Sequence, residues 1–471
     1  METTKTINKE ECYLRFRAMK ISFENISGLL FVLALVIGIA ACDTNNADDE
    51  ATTAQFEVTI ENTGTAYPII KSGAFDTGVN ATEPGGIGPG GAFEFEFTAP
   101  VGARLSLATM FVQSNDWVYA TPEAGVALYN GDGSQVTGNI TAEIDLYDVG
   151  TEEDQEPGVG DNQVLRQSEP NTGPVDDNNT VREVTDSNLP ADEEVIQVTL
   201  TSTGTYGFRV RIENVSTAST LQTSQGDMPV PLSPGAWLVH SADQSSLLYT
   251  EGEADYGEGL EAIAEDGNPT ELAGNLDAET GITVPLSPGA FAVYSGDNPI
   301  FTSGQPAPDN GLEAIAEDGV PTTMAAALSA NEDVTASGAF AQPVGASENG
   351  PLLPGSGSTY TFSFTAEEGD VLSFATMYIQ SNDLFYAPVQ AGVDLFAGGT
   401  PLSGDISSQL RLWDAGTEAN EEPGIGGNQV IRQSGSDTGP ADDNTNVREV
   451  DDGFEYGDVE SHIQVTVRVI Q

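Results

Sequence analysis

One long passage occurs twice in this chain. Leu-Ser-Leu-Ala-Thr-Met-Phe-Val-Gln-Ser-Asn-Asp-Trp fills Leu105 to Trp117, and Leu-Ser-Phe-Ala-Thr-Met-Tyr-Ile-Gln-Ser-Asn-Asp-Leu fills Leu372 to Leu384, an offset of 267. At an offset of 266, Tyr147-Asp-Val-Gly-Thr-Glu returns as Trp413-Asp-Ala-Gly-Thr-Glu, and Asn162-Gln-Val-Leu-Arg-Gln-Ser as Asn428-Gln-Val-Ile-Arg-Gln-Ser. A period this long exceeds any solenoid unit and fits duplication of a whole domain. Between the copies, apolar positions exchange among Leu, Ile, Phe and Tyr, whereas the acids and glycines of the connecting motifs are kept.

The local pattern has period two. Phe56-Glu-Val-Thr-Ile60, Phe93-Glu-Phe-Glu-Phe97, Val195-Ile-Gln-Val-Thr-Leu200, Phe208-Arg-Val-Arg-Ile212 and Ile463-Gln-Val-Thr-Val467 each place apolar residues on one face. These predict half-buried antiparallel strands, punctuated by 52 Gly and 26 Pro, and hence an all-β chain of two antiparallel β-sandwich domains. Phe56-Glu-Val-Thr-Ile-Glu-Asn62 matches Phe208-Arg-Val-Arg-Ile-Glu-Asn214 at an offset of 152, so both read as first strands of their domains. That places the domains at 53–203 and 204–471. The second then carries a Gly- and Pro-rich insert over about 228–340, which has a repeat of its own. Pro231-Leu-Ser-Pro-Gly-Ala236 recurs at 285–290, and Leu260-Glu-Ala-Ile-Ala-Glu-Asp-Gly267 recurs at 312–319. The latter segments predict single short helices closed by Gly.

The N-terminal 41 residues read as an export signal. Arg15, Arg17 and Lys20 precede an apolar run from Gly28 to Ala41, which is too short to span a bilayer comfortably. The run ends Ile39-Ala40-Ala41-Cys42 and resembles the lipobox of bacterial lipoproteins, which implies cleavage before Cys42 and a lipid on it. Met19 is a more typical start than Met1. Residues 42–52 are an acidic tether, similar to the surface-export signals of some bacterial lipoproteins. The expected location is the cell envelope, on the outer membrane, through this anchor. Removing 1–41 leaves 69 of 73 acids and 10 of 15 bases, with Lys71 as the single lysine. Such a surface excludes nucleic acid as a partner, because phosphates are neutralised by clustered Lys and Arg. It suits either high salt, where self-repulsion is screened, or acids gathered around divalent cations. Cys12 lies before the cut, so the mature chain has neither a disulfide nor a catalytic thiol.

Ser-Asn-Asp-Trp, then Tyr/Trp-Asp-x-Gly-Thr-Glu some thirty residues on, then Glu-Pro-Gly and Asn-Gln-x-x-Arg-Gln, together resemble the spondin domain, named for the N-terminal region of F-spondin and found also in bacterial secreted proteins. The Leu-Ser-Pro-Gly and Leu-Glu-Ala-Ile-Ala-Glu-Asp-Gly stretches are similar to bacterial members. The resemblance implies a C2-like antiparallel sandwich with one Ca2+ at a loop end, an adhesion or matrix-contact role towards an extracellular glycan or protein, and no enzymatic activity. Its metal-ligand positions carry over onto Asp116, Asp148 and Glu152, and onto Asp383, Asp414 and Glu418. The third position is Asp in the animal pattern and Glu here, one methylene longer in reach. The chemistry agrees. Calcium takes six to eight hard oxygens, and Asp-x-Gly-Thr-Glu offers two carboxylates four residues apart around a flexible Gly.

Other positions carry weaker signals. Asp176-Asp177-Asn178 and Asp442-Asp443-Asn444 recur as acidic turns, and Asn130-Gly-Asp-Gly133 resembles part of a calcium loop but has no counterpart. Arg166 and Arg432 in acidic loops suggest structural ion pairs, and Trp117 and Trp413, each replaced in the other copy, suggest packing. The alternative is a carbohydrate-active hydrolase with paired carboxylates on a sandwich scaffold. The only histidines, His240 and His462, belong to no shared motif, and His462 is expected to face solvent.

Overall fold

The computed structural model describes residues 52–471. The lipidation expected at Cys42 and the signal and tether segments lie outside these residues, apart from Thr52. The alternating segments form strands as expected. In chain order the principal elements begin with β1 (Thr53–Asn62), β2 (Ile69–Phe75), β3 (Ala92–Thr98), β4 (Ala103–Phe111), β5 (Trp117–Ala120) and β6 (Asp145–Asp148). They continue with β7 (Arg182–Glu183), β8 (Ile196–Ser202), β9 (Gly207–Asn214), β10 (Leu232–Ser241), α1 (Leu260–Asp266), α2 (Thr270–Ala278), β11 (Leu286–Tyr294), α3 (Leu312–Asp318) and α4 (Thr322–Ser329). The last are β12 (Val334–Phe340), β13 (Thr359–Glu367), β14 (Val371–Tyr378), β15 (Leu384–Pro388), β16 (Leu410–Asp414), β17 (Arg448–Glu449) and β18 (Ile463–Val469).

The strands assemble into two all-antiparallel sandwiches of identical plan. In the first, a sheet ordered β3-β9-β8 faces one ordered β2-β10-β4-β5-β6-β7. In the second, β13-β1-β18 faces β12-β11-β14-β15-β16-β17. The inner faces interdigitate to form one core per sandwich: Phe93, Val198, Phe208 and Val210 meet Leu105, Leu107, Tyr119 and Val239, and Phe56, Val58 and Val465 meet Val293, Phe374 and Tyr386.

This arrangement corrects the expected domain boundary. β1 is not the first strand of the first sandwich. It lies between β13 and β18, pairing Phe56 with Phe364 on one side and with Val469 on the other. Its twin β9 fills the same slot in the first sandwich, between β3 and β8. A cut at 203/204 would therefore sever both sandwiches. The 228–340 stretch is likewise not one insert. Its first half supplies β10, α1 and α2 to the first sandwich, and its second half supplies β11, α3, α4 and β12 to the second.

Each helix pair forms a third layer. Leu260, Ile263, Ala264, Leu272 and Leu276 pack on Ala108, Met110, Val118 and Leu238, and Leu312, Ile315 and Met324 pack on Ala290, Ala375 and Phe385. Alanines on the sheet let the helices approach. With both faces covered, β4 is buried throughout except at Arg104, so its sequence shows no alternation. Gly267 and Gly319, at φ 65° and 66°, close α1 and α3 in the left-handed conformation that Gly adopts without strain. The second helix of each pair was not expected from the sequence. Lys71 ties the sandwiches together, its Nζ 2.8 Å from Glu422 Oε1, and Thr98 donates to the same oxygen at 2.9 Å. Among the described residues no helix is long and apolar enough to cross a membrane.

Candidate metal centre

Strand register builds the site. Asp148 ends β6 and pairs opposite Trp117, the residue after Asp116, while Arg182 of β7 pairs with Asp148 from the other side. The second sandwich repeats this with Asp414 opposite Leu384 and Arg448 opposite Asp414. The structure thus brings Asp116 beside Asp148 and Asp383 beside Asp414, all four buried.

Asp116 Oδ2 accepts from Thr151 N at 2.7 Å, Thr151 Oγ1 at 3.1 Å and Glu152 N at 2.9 Å. Asp383 Oδ2 is held alike by Thr417 N (2.7 Å), Thr417 Oγ1 (3.1 Å) and Glu418 N (3.1 Å). In both, Oδ1 is buried without a hydrogen-bond partner. Asp148 and Asp414 each take the N–H of the Gly two residues on, at 2.7 Å. Arg182 Nη2 bridges Asp148 and Asp176, and Arg448 Nη2 bridges Asp414 and Asp442. The recurring Asp176 and Asp442 are thus arginine-holding turn residues.

Burial pushes the Asp116 carboxyl up to about 6, against the hydrogen bonds it accepts. Burial, with Asp116 and Asp154 adding repulsion, pushes Asp148 up to about 8, and Arg182 opposes this without prevailing. Burial and the neighbouring Asp414 raise Asp383 to about 7, and burial raises Asp414. A buried carboxylate pair that a single arginine neutralises only in part favours holding a proton or a cation.

Glu152 and Glu418 do not complete these pairs. Glu152 Oε1 accepts from Gly173 N at 2.5 Å and Oε2 from Asn115 Nδ2 at 3.2 Å, with Gly439 and Asn382 serving Glu418 at 2.6 and 3.4 Å. The extra methylene carries each carboxylate across to a neighbouring loop. A Cβ at Gly173 or Gly439 would run into that carboxylate, so a side chain at either position would displace it from the loop N–H it accepts. Neither expected triad forms a group of three carboxylates with oxygens in mutual reach. Among the described residues the group whose oxygens lie within 4.8 Å of one another is Glu313, Glu317 and Asp437.

Sequence reasoning missed three acids. Asp154 accepts from Trp117 Nε1 at 2.7 Å and adds a third charge beside Asp148, whereas Asn420 holds that place in the second sandwich and donates to Asp414 at 2.8 Å. Glu265 on α1 and Glu317 on α3 are 2 % and 3 % exposed. Both Glu265 oxygens and Glu317 Oε1 lack partners, and burial raises both carboxyls to about 8. The duplicated helix keeps three acids, Glu261, Glu265 and Asp266 in the first copy, so the repeat alone did not single these two out.

The weaker candidates resolve structurally. Arg166 and Arg432 bond the carbonyls of Gly160 and Gly426 at 2.8 Å and neighbouring glutamine side chains, rather than carboxylates. Trp117 and Trp413 are buried. His240 is buried against Ser106 Oγ at 3.0 Å, and His462, expected in solvent, is half-buried against Tyr386 Oη at 3.0 Å. Asn130–Gly133 is an exposed turn. No protein-family model matches the chain, and no curated protein matches it.

Proposed function

We propose that this chain is a calcium-binding, non-enzymatic contact module held outside the cytoplasm by a lipid on Cys42, where it meets an extracellular glycan or protein. The observation that carries the reading is the duplicated buried pair, Asp116 with Asp148 and Asp383 with Asp414, each with one carboxylate oxygen lacking any partner. Buried polar atoms are nearly always satisfied, and the donor set here is hard oxygen. In each sandwich the Asp pair would hold the ion, with Asp154 adding a carboxylate in the first, while Glu152 and Glu418 pin the surrounding loops. Calcium would supply charge neutralisation there. The protein's own residues fix the sites on strand ends and keep most water out.

Burial argues against glycoside hydrolysis, which needs two carboxylates flanking an accessible sugar. Asp116 and Asp383 are 0 % exposed. Titration calorimetry of the chain with Ca2+ tests the site. Loss of two binding steps in the double variant Asp148→Asn, Asp414→Asn supports it, and no heat at millimolar Ca2+, or the same number of steps in the variant, refutes it. Mass spectrometry of the native N-terminus tests the anchor, which an unmodified Cys42 would exclude.

A further inference from the structure

We propose that Glu313, Glu317 and Asp437 form a second kind of divalent-cation site, present in the second sandwich and disarmed in the first. Glu313 and Glu317 stand one turn apart on α3, and Asp437 comes from the loop before Gly439. One oxygen of each lies within 4.8 Å of the others. Two oxygens bound to one calcium at 2.3–2.6 Å can be separated by at most about 5 Å, so this spacing lets a single ion touch all three. Glu313 and Asp437 are exposed and leave an opening for water ligands, while Glu317 is 3 % exposed and its Oε1 has no hydrogen-bond partner. Among the described residues no Lys, Arg or His forms an ion pair with any of the three.

The first sandwich supplies an internal control. Glu261 and Glu265 occupy the places of Glu313 and Glu317, and Asn171 that of Asp437. The loop conformation is shared, with φ 51° at Asn171 and 55° at Asp437. In the first copy the Asn171 amide donates to Glu261 Oε1 at 2.7 Å. A carboxylate at that position has no proton to give, so Asp437 cannot repeat that bond, and a bound cation would take the place of the N–H. The geometry suits a hard ion, Ca2+ or Mg2+, whose remaining ligands are water.

The site adjoins the Asp383–Asp414 pair through Glu317, which lies beside Thr417 and Asp383, and the experiment tells the two apart. Ions bound per chain are counted by equilibrium dialysis and calorimetry, with Ca2+ alone and with Mg2+ alone. Asp437→Asn, an exposed change that copies the first sandwich, should lower the count by one or weaken that step at least tenfold. Asn171→Asp should raise the count by one. If Asp437→Asn and Asn171→Asp both leave stoichiometry and affinities unchanged for both ions, the proposal is wrong, even where Asp148→Asn or Asp414→Asn abolishes a binding step. If Asp437→Asn removes an ion and the latter two variants remove none, this site stands and the calcium reading at the Asp pairs falls.

Discussion

Phe56→Ala should weaken the sandwich farthest from it in sequence. Phe56 is 0 % exposed, stacks on Phe364 at 5.6 Å and meets Phe396 edge-on at 5.6 Å. Its strand is hydrogen-bonded on both sides, so the neighbours cannot collapse into the void. Truncating a buried Phe under such constraint costs about 3–5 kcal/mol. At about 1.4 kcal/mol per tenfold, the opening equilibrium of the second sandwich rises about a hundredfold to a few thousandfold. Hydrogen exchange read by mass spectrometry should show lost protection in 359–367 and 463–469, with 92–98 and 196–202 unchanged. Phe208→Ala, whose ring meets Phe97 at 5.7 Å and Tyr129 at 5.4 Å, should give the mirror image. Loss of protection in 92–98 and 196–202 after Phe56→Ala would refute the strand assignment.

Three further outcomes follow. In chelator, stability should fall as pH rises from about 4 to 8, because Asp116 and Asp148, raised from 3.8 to about 6 and about 8, hold protons in the folded state that the unfolded chain has released. Urea midpoints that rise with pH across that window would contradict this, and saturating calcium should flatten the slope. Asp148→Asn should remove about 2.7 kcal/mol of the stabilisation given by calcium at 100 times Kd, while leaving the metal-free melt equal or higher. Calcium-dependent melting temperatures of the variant and wild type decide it. With 69 acids against 10 bases after Ala41, melting temperature should climb from low to molar NaCl as repulsion is screened, and a flat response would show that this charge excess does not limit stability.

The strands were legible in the sequence because one face is wet and the other dry: Phe56–Ile60, Phe93–Phe97 and Phe208–Ile212 all became strands. What alternation cannot encode is the partner. β1 and β9 carry the same apolar face, so each fits either core, and sequence order suggested the wrong one. α2 and α4 were hidden because their contact faces are thin, only Leu272 and Leu276 in one and Met324 and Leu328 in the other being buried. In the site, Asp116 and Asp148 were readable from duplicated turns. The role of Glu152 was not, since a reach to Gly173 depends on a loop that pairs through tertiary contact. Nothing in the helical segments singled out Glu265 and Glu317, because only the packing of α1 and α3 against the sheets buries them.

The twin strands raise a sorting problem that their outward residues answer. β1 is made first, and its partner β18 is the last strand of the chain, whereas the slot between β3 and β8 is complete before β9 exists. In that slot, Arg209 sits opposite Glu96 at 2.5 Å and Arg211 meets Glu94 at 2.7 Å. β1 placed there would set Glu57 against Glu96. In its own slot Glu57 faces Arg468, where β9 would bring Arg209 instead. Each correct placement joins opposite charges and each exchange joins like ones, a discrimination of a few tenths to about 1 kcal/mol per pair. Those charges distinguish two strands whose buried faces are interchangeable. The same molar salt that relieves the acidic surface screens them, and at high ionic strength the short turn 203–206, which holds β9 beside β8, is what keeps the two strands sorted.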